Sequence, residues 1–140
     1  MRTALVVLVV AILALALGAC GESDEEKAMN AVCDARDDIA KQVDELKALS
    51  PATVTTDAVT QNLDAIRKDL NDMSDARSDL SDDQRSEVET ATKAFTDSIR
   101  TVAGDLGRSL SASDAKTQVA NALQELEASY KKTLEPLDCS

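Results

Sequence analysis

Acidic side chains are the most abundant groups in this chain that could do chemistry. Its 140 residues include 26 Asp and Glu against 15 Lys and Arg, so the formal net charge is −11, and they include three Cys but no His. Without an imidazole there is no Ser-His or Cys-His nucleophile, no His proton shuttle and no ordinary His-based zinc site. Chemistry here has to come from carboxylates, thiols or basic side chains.

One group of aspartates falls at helical spacing on a single face. Carboxylates could hold Ca²⁺, but that ion needs about six to eight oxygen ligands from a shaped loop, and no Asp-x-Asp-x-Asp-Gly sequence is present. Carboxylate pairs for glycoside hydrolysis are weakly supported, because two aromatic residues offer no evident sugar-binding groove. We therefore predict a solvated acidic face and no metal site. The residues are Asp64, Asp72, Asp75, Asp79 and Asp83.

Two arginines lie on faces that are otherwise apolar. Arg36 is seven residues before Val43. Arg77 lies between Met73 and Leu80. Each could face inward and recognise a carboxylate or phosphate group in a cavity. The simpler interpretation, which we favour, is that each stem runs along the edge of the core and each guanidinium pairs with an Asp.

Motifs for catalysis and for nucleic-acid binding are not found in the sequence. Neither Ser-x-x-Lys nor a Gly-rich phosphate loop is present. The negative net charge repels phosphate backbones, and Phe95 and Tyr130 are too few aromatics to stack bases. Both aromatics fit a helix core, with the wall of a small apolar pocket as the alternative. We predict a protein that is not an enzyme, uses no cofactor and binds no nucleic acid.

Four amphipathic stripes supply the elements that position these residues. Large apolar residues recur every three or four positions, and no window alternates with the two-residue period of a strand. The stripes predict four helices of about 23 to 28 residues each. Their residues are Met29, Val32, Ile39, Val43 and Leu46; Val59, Leu63, Ile66, Leu70, Met73 and Leu80; Val88, Ala91, Phe95, Ile99, Val102, Leu106 and Leu110; and Val119, Leu123, Leu126, Tyr130 and Leu134.

Turn and capping residues mark the helix boundaries. Ser50-Pro51 ends the first helix, and Pro136 ends the fourth. The segments Ser81 to Gln84 and Ser111 to Asp114 each predict a capping box at a helix start. The connections are short, which favours antiparallel neighbours. The expected fold is therefore an all-α, up-down-up-down four-helix bundle.

The core of this bundle is expected to be lean. Leu, Ile, Val and Phe make up about 18% of the residues beyond Cys20, a level at which high net charge begins to favour disorder. Gly104 and Gly107 fall in the third helix, where each costs about 1 kcal/mol relative to Ala. A kink and a close helix contact are alternatives, but we expect these glycines to mark an early helix end.

The first twenty residues differ from the rest of the chain. Arg2 precedes an unbroken apolar run, residues 4–17, which suits a secretory signal and is short for a spanning helix of about 20 residues. The run ends in Leu17-Gly18-Ala19-Cys20, which resembles the lipobox of bacterial lipoproteins. The resemblance implies cleavage after Ala19 and a diacylglyceryl group on Cys20. A plain signal peptide or an uncleaved signal anchor is the alternative.

The other two cysteines test the predicted topology. If Cys20 is lipidated, Cys33 and Cys139 remain as a pair in an exported protein, where thiols tend to form disulfides. They lie near the start of helix 1 and after the end of helix 4, which meet only if the helix number is even. A bridge would close a loop of about 100 residues, worth about 4.7 kcal/mol. Free thiols, intermolecular bridges and a redox pair are the alternatives.

The sequence thus divides into a signal peptide at 1–19, a lipidated cysteine with a short acidic tether at 20–26, and a bundle domain at 27–140. We expect a non-catalytic lipoprotein that is lipid-anchored to the outer face of the cell membrane, or to an outer membrane if the organism has one. Its expected partners are membrane lipid, through acylated Cys20, and an envelope protein. The alternative is a bundle that binds a small ligand or metal through Arg36, Arg77 and the aspartate face.

Overall fold

The structure is a computed structural model that describes residues 21–49, 54–109 and 115–140. These residues form four helices, α1 (Asp24–Ala48), α2 (Thr56–Ala76), α3 (Asp82–Ser109) and α4 (Ala115–Thr133), with a 3-10 turn at Arg77–Asp79. Helix α1 packs mainly against α2, and α3 mainly against α4. The two hairpins then meet along an α2–α3 seam and an α1–α4 seam. The predicted all-α, up-down-up-down four-helix bundle is confirmed.

The core contains nearly all of the residues in the predicted stripes. Phe95 is completely buried, and its ring meets that of Tyr130 edge-on, with 6.1 Å between the centroids. Tyr130 is half-buried against the core, so both aromatics belong to it. Leu110 lies outside the described residues. Four buried hydrophobic residues were not part of the stripes, Ala28, Ala35, Ala122 and Leu137, and one buried polar residue, Thr92, was not either.

Helix α1 begins earlier than the predicted domain boundary at residue 27. Ser23 is its N-cap, and its Oγ accepts a hydrogen bond from the Glu26 N–H at 3.1 Å. The Glu26 carboxylate in turn accepts one from the Ser23 N–H at 2.8 Å, which completes a capping box. The acidic residues 24–26 therefore form the first turn, where the helix dipole favours negative charge. Only residues 21–23 precede the helix in the described chain.

The predicted capping box at Ser81 and Gln84 takes a different form. Ser81 Oγ donates to Gln84 Oε1 at 3.0 Å, so the two residues pair through their side chains rather than through backbone N–H groups. Thr55 is the N-cap of helix α2, and its Oγ1 accepts a hydrogen bond from the Ala58 N–H at 3.1 Å. The predicted boundaries at Ser50-Pro51 and at Ser111 to Asp114 lie outside the described residues.

Arg85 fixes the reversal that leads from α2 into α3. Its guanidinium donates to the carbonyl oxygens of Arg77, Ser78 and Leu80 at 3.2, 3.2 and 3.1 Å. Carbonyls at a helix end have no partner within the helix, so a cation that binds several of them caps the helix and suits its dipole. Sequence reasoning did not single out Arg85, because this role depends on the chain folding back.

The expected end of α3 at its glycines is wrong, since the helix continues to Ser109. Val102 and Leu106 are buried beside these glycines and hold the last turns against the core. The glycines serve no close contact either. A Cβ at Gly107 would meet nothing within 4 Å, and one at Gly104 would meet only Arg108 Nη1 at 4.0 Å.

Replacing either helix glycine by alanine is therefore expected to stabilise the protein. Gly104→Ala and Gly107→Ala should each raise the free energy of unfolding by about 0.5 to 1 kcal/mol, because alanine loses less backbone entropy in a helix. Urea unfolding followed by circular dichroism measures the change. Gly21→Ala is the control, because Gly21 precedes α1 and also has open space around it. A loss of stability in either helix variant would contradict the expectation.

Candidate functional site

Arg36 lies where α1 meets the carboxy-terminal segment. Its Nη1 donates to the carbonyl oxygen of Leu137 at 3.1 Å, and its Nη2 donates to Asp37 Oδ1 at 2.9 Å. The side chain is 19% exposed. This placement agrees with the favoured interpretation of a stem along the core edge and an Asp partner. Arg36 thus joins two parts of the chain, and its donors are directed at protein oxygens.

The segment that follows α4 is fixed to α1 by several links. Cys33 and Cys139 form a disulfide across 106 residues of sequence, with their Cα atoms 5.7 Å apart, so the predicted bridge is confirmed. Leu137 is buried between these links at 4% exposure. The Tyr130 hydroxyl donates to the carbonyl oxygen of Arg36 at 3.3 Å. The α1–α4 seam is therefore closed by a disulfide and by hydrogen bonds at the end where α1 begins and α4 ends.

An ion pair closes the same seam farther along. Lys47 Nζ lies 2.8 Å from Glu127 Oε2, and Lys131 Nζ lies 2.8 Å from Glu127 Oε1. The hydrogen bonds from Lys131 and Lys47 lower the pKa of Glu127 to about 2. A lowered carboxyl pKa contributes stability above its ordinary value near 4.5, and this contribution is lost as the pH falls toward 2. Glu127 is thus a structural carboxylate.

Tyr130 offers a direct test of the packing at this seam. Burial raises its pKa above the ordinary value of 10.0. Because it is the only Tyr and the chain has no Trp, the ultraviolet absorbance of phenolate reports this residue alone. We expect a midpoint above 10 in the folded protein. A raised pKa means that the contribution of Tyr130 to stability is full below 10 and is lost as the pH rises through the folded-state value.

The titration has an internal control. In denaturant the same phenol should ionise near its ordinary pKa of about 10, since neither burial nor the Arg36 carbonyl acts on it there. A midpoint at or below that value in the folded protein would mean that the Tyr130 hydroxyl is solvated and that the α1–α4 seam is open at this level.

The predicted aspartate face is divided between different elements. Helix α2 ends before Asp79, which lies in the 3-10 turn, while Asp83 lies in α3. Asp64 and Asp72 each pair with a basic residue of their own helix, at 2.7 and 2.5 Å. Within the described ranges, no group of three or more potential metal ligands comes together. Of the predicted face, Asp64 and Asp72 thus form local ion pairs within α2, while Asp79 and Asp83 belong to other elements.

A polar groove runs along the α2–α3 seam. Its larger part has a volume of about 370 Å³, and an adjoining part of about 230 Å³ shares Leu70 and Arg100 with it. Leu70 and Ile99 supply apolar surface, while most of the wall is polar. We call this surface the α2–α3 groove. The polar residues that line its larger part are Asn71, Ser74 and Arg77 on one side and Glu89, Thr92, Lys93, Thr96, Asp97 and Arg100 on the other.

Arg77 lies at one end of the α2–α3 groove. It belongs to the 3-10 turn, so it lines the groove instead of facing the core, and its side chain is 37% exposed. Its Nη1 is 3.7 Å from Glu89 Oε2, which is beyond hydrogen-bond distance. Its partner is therefore a Glu of α3 and not the Asp that the sequence suggested. Its guanidinium donates no hydrogen bond to any residue of the described ranges.

Lys93 is a basic residue of the groove that sequence analysis did not single out. It is exposed on α3, and together with Lys132 it differs from the other basic side chains described, which all form ion pairs. In the sequence Lys93 is one more polar residue on a helix face. Its position opposite Arg77 depends on how α2 and α3 pack, for which the periodicity of one helix carries no signal.

The predicted lipidation residue, Cys20, lies outside the described residues, as does all of the leader. None of the helices described is long and apolar enough to cross a membrane.

Comparison with known proteins assigns no family to the chain. No protein-family model matches it, and searches of curated proteins and of solved structures find no significant match.

Proposed function

We propose that this protein is a lipid-anchored, non-catalytic binding module of the cell envelope. The observation that carries the proposal is the α2–α3 groove, where Arg77 and Lys93 present hydrogen-bond donors that no described residue uses. Such a groove on a bundle surface is suited to recognition. The chain has no His to serve as a general base.

The anchor in this proposal rests on the lipobox resemblance at Leu17-Gly18-Ala19-Cys20. A diacylglyceryl group at Cys20 would hold the protein at a membrane, since each buried methylene contributes about 0.8 kcal/mol. The Cys33–Cys139 disulfide supports export, because disulfides persist in oxidising compartments. With export and the lipid anchor together, the bundle would be held at the outer face of the cell membrane, or anchored to an outer membrane.

The short tether limits where the module can act. Helix α1 begins at Asp24, so residues 21–23 span only about 10 Å when extended. The bundle then works next to the headgroups, and its negative charge favours neutral or basic partners there. The proposed partners are membrane lipid, through acylated Cys20, and an envelope protein that the bundle contacts.

Mass spectrometry of the mature amino terminus tests the anchor. We expect a chain that starts at Cys20 and carries acyl groups, and we expect Cys20→Ser to leave the leader uncleaved. An unmodified Cys20, or a mature chain that still starts at Met1, would overturn the lipid anchor. Cys33→Ser is a suitable comparison, because it removes a different cysteine and should leave acylation of Cys20 unchanged.

Crosslinking in native membranes tests the binding role. A binding module should yield a discrete crosslinked species with one envelope protein. That species should be lost when a plainly cleaved secretory signal replaces the leader and Cys20, because the bundle is then released without lipid. If no discrete species forms, or if the same species forms without the anchor, the proposal that the module meets its partner at the membrane is wrong.

A further inference from the structure

The α2–α3 groove differs in charge from the rest of the molecule. The chain as a whole carries −11, yet basic side chains outnumber acidic ones along the larger part of the groove. Arg77, Lys93 and Arg100 line it together with Glu89 and Asp97. Arg100 is paired with Asp97 at 3.1 Å. Lys93 forms no ion pair with a described residue, and Arg77 meets only Glu89, at 3.7 Å, so these two cations are the candidates to meet a ligand.

The seam that holds the groove has no covalent link among the described residues, and packing and the Arg85 hydrogen bonds at the reversal hold its helices together. The α1–α4 seam has the Cys33–Cys139 disulfide, the Arg36 hydrogen bond to Leu137 and the pair of Lys47 with Glu127. Across the groove the structure shows a single ion pair, Arg77 with Glu89, among the described residues. The groove is therefore a surface on which polar groups of two helices remain open to a third molecule.

We propose that the α2–α3 groove binds a small phosphorylated polyol, with its phosphate between the Arg77 guanidinium and the Lys93 ammonium. A phosphate monoester carries about −1.5 to −2 charges at neutral pH, which two cations match. Arginine offers a planar fork to phosphate oxygens and lysine a point charge. The inference gives the proposed binding module its ligand class, and in that respect it rests on the proposed function.

The rest of the groove suits a small hydroxyl-bearing body. Asn71, Ser74 and Thr96 supply amide and hydroxyl groups along the wall, and none of the lining residues is aromatic. The volume of about 370 Å³ lies at the lower end of small-molecule sites. A long polyanion is disfavoured. The attraction of the groove cations reaches only one screening length of about 8 Å, and the rest of a long polyanion would lie against the negatively charged surface around the groove.

Glu89 acts as an internal competitor in this site. Its carboxylate faces Arg77 at 3.7 Å, and its side chain is 60% exposed and so can move away. A phosphate that binds Arg77 would displace the Glu89 carboxylate and would be repelled by its negative charge. Glu89→Gln keeps the shape of the side chain and removes that charge, so it should strengthen binding, whereas loss of Lys93 should weaken it.

Isothermal titration calorimetry on the full chain, purified in a neutral detergent, tests the proposal with glycerol phosphate as the probe. We expect one site, weakened about tenfold or more by Lys93→Met and by Arg77→Met, and strengthened by Glu89→Gln. Lys132→Met is the matched control, since Lys132 also forms no ion pair with a described residue, lies outside the groove lining and should leave the affinity unchanged when it is replaced. Glycerol alone should not bind, and inorganic phosphate should bind more weakly.

Two further arms complete the design. Short-chain phosphatidic acid in the same detergent carries the same monoester on a lipid, so its affinity relative to glycerol phosphate tells whether a headgroup or a free ester is preferred. Circular dichroism melting shows that the variants fold. Lys93→Met is the decisive one, because Lys93 makes no ion pair with a described residue.

The inference would be overturned if neither glycerol phosphate nor short-chain phosphatidic acid bound to the protein. Equal losses in Lys93→Met and Lys132→Met would also overturn it, because they would show general charge attraction. These outcomes leave acylation of Cys20 and the membrane crosslink untouched. Conversely, an unmodified Cys20 together with groove-dependent binding would remove the anchor and keep the site.

Discussion

Replacing Cys33 and Cys139 by serine is expected to lower the free energy of unfolding by about 4.7 kcal/mol. The disulfide closes a loop of 106 residues, which is nearly the whole bundle, so the reduced unfolded chain gains much conformational freedom. Domains of this size are commonly stable by about 5 to 15 kcal/mol. Loss of the bridge should therefore remove a large part of the stability and lower the melting temperature by roughly 15 °C.

Urea unfolding of the oxidised, reduced and doubly substituted chains measures this effect. The reduced chain and the double variant should share one lower midpoint, and reductant should not change the double variant further. A second contribution is expected to follow, because release of Cys139 frees the segment in which Leu137 is buried and accepts the Arg36 hydrogen bond. Equal midpoints for the oxidised and reduced chains would show that the bridge adds nothing.

Phe95→Ala is expected to cost about 3 to 5 kcal/mol. Phe95 is completely buried in α3 and is the largest of the fully buried side chains. The cavity left by its removal adds to the cost, because a close-packed core relaxes only partly around it. Loss of the edge-on contact with Tyr130 adds about 0.5 to 1.5 kcal/mol beyond the loss of buried area.

Phe95→Leu is the matched comparison, because it keeps an apolar side chain of similar volume and should cost about 1 to 1.5 kcal/mol. Thermal and urea unfolding give both values, and near-ultraviolet circular dichroism of Tyr130 shows whether its ring loses its fixed packing. If the alanine variant were no less stable than the leucine variant, the core around Phe95 would have to be much looser than the structure indicates.

The arrangement of the apolar residues predicted the fold better than their amount did. A Leu, Ile, Val and Phe content of about 18% is typical of chains near the border of disorder. Almost every large residue nevertheless falls on one of four stripes, and nearly all of the described ones are buried, from Val32 in α1 to Leu134 after α4. A stripe of helical period buries its residues efficiently, because the opposite face carries the charges.

Local rules were less reliable at the helix ends. The capping box of α1 at Ser23 and Glu26 was not singled out, while the one at Ser81 and Gln84 forms a side-chain pair. At the glycines, helix propensity predicted an early end, but burial of Leu106 carries α3 through them. Propensities near 1 kcal/mol per residue are outweighed when a turn buries a large apolar side chain.

The two arginines show how far the sequence could assign roles. Both interrupt an apolar stripe, and the sequence favoured the same structural interpretation for both. The structure separates them: Arg36 binds the Leu137 carbonyl and Asp37, whereas Arg77 lies at the α2–α3 groove with its donors unused by described residues. The difference comes from what packs beside each residue, and these neighbours are distant in the sequence.

By itself, the sequence determined the helical period, the number of helices and the pairing of Cys33 with Cys139, because these follow from short-range spacing and from the parity of an up-down bundle. The tertiary structure alone decided which cations share a groove, and it placed Lys93 opposite Arg77. It also turned the Arg85 guanidinium onto three carbonyls of the preceding reversal. Such contacts depend on the packing of residues from different elements, whereas the period of a helix depends on that helix alone.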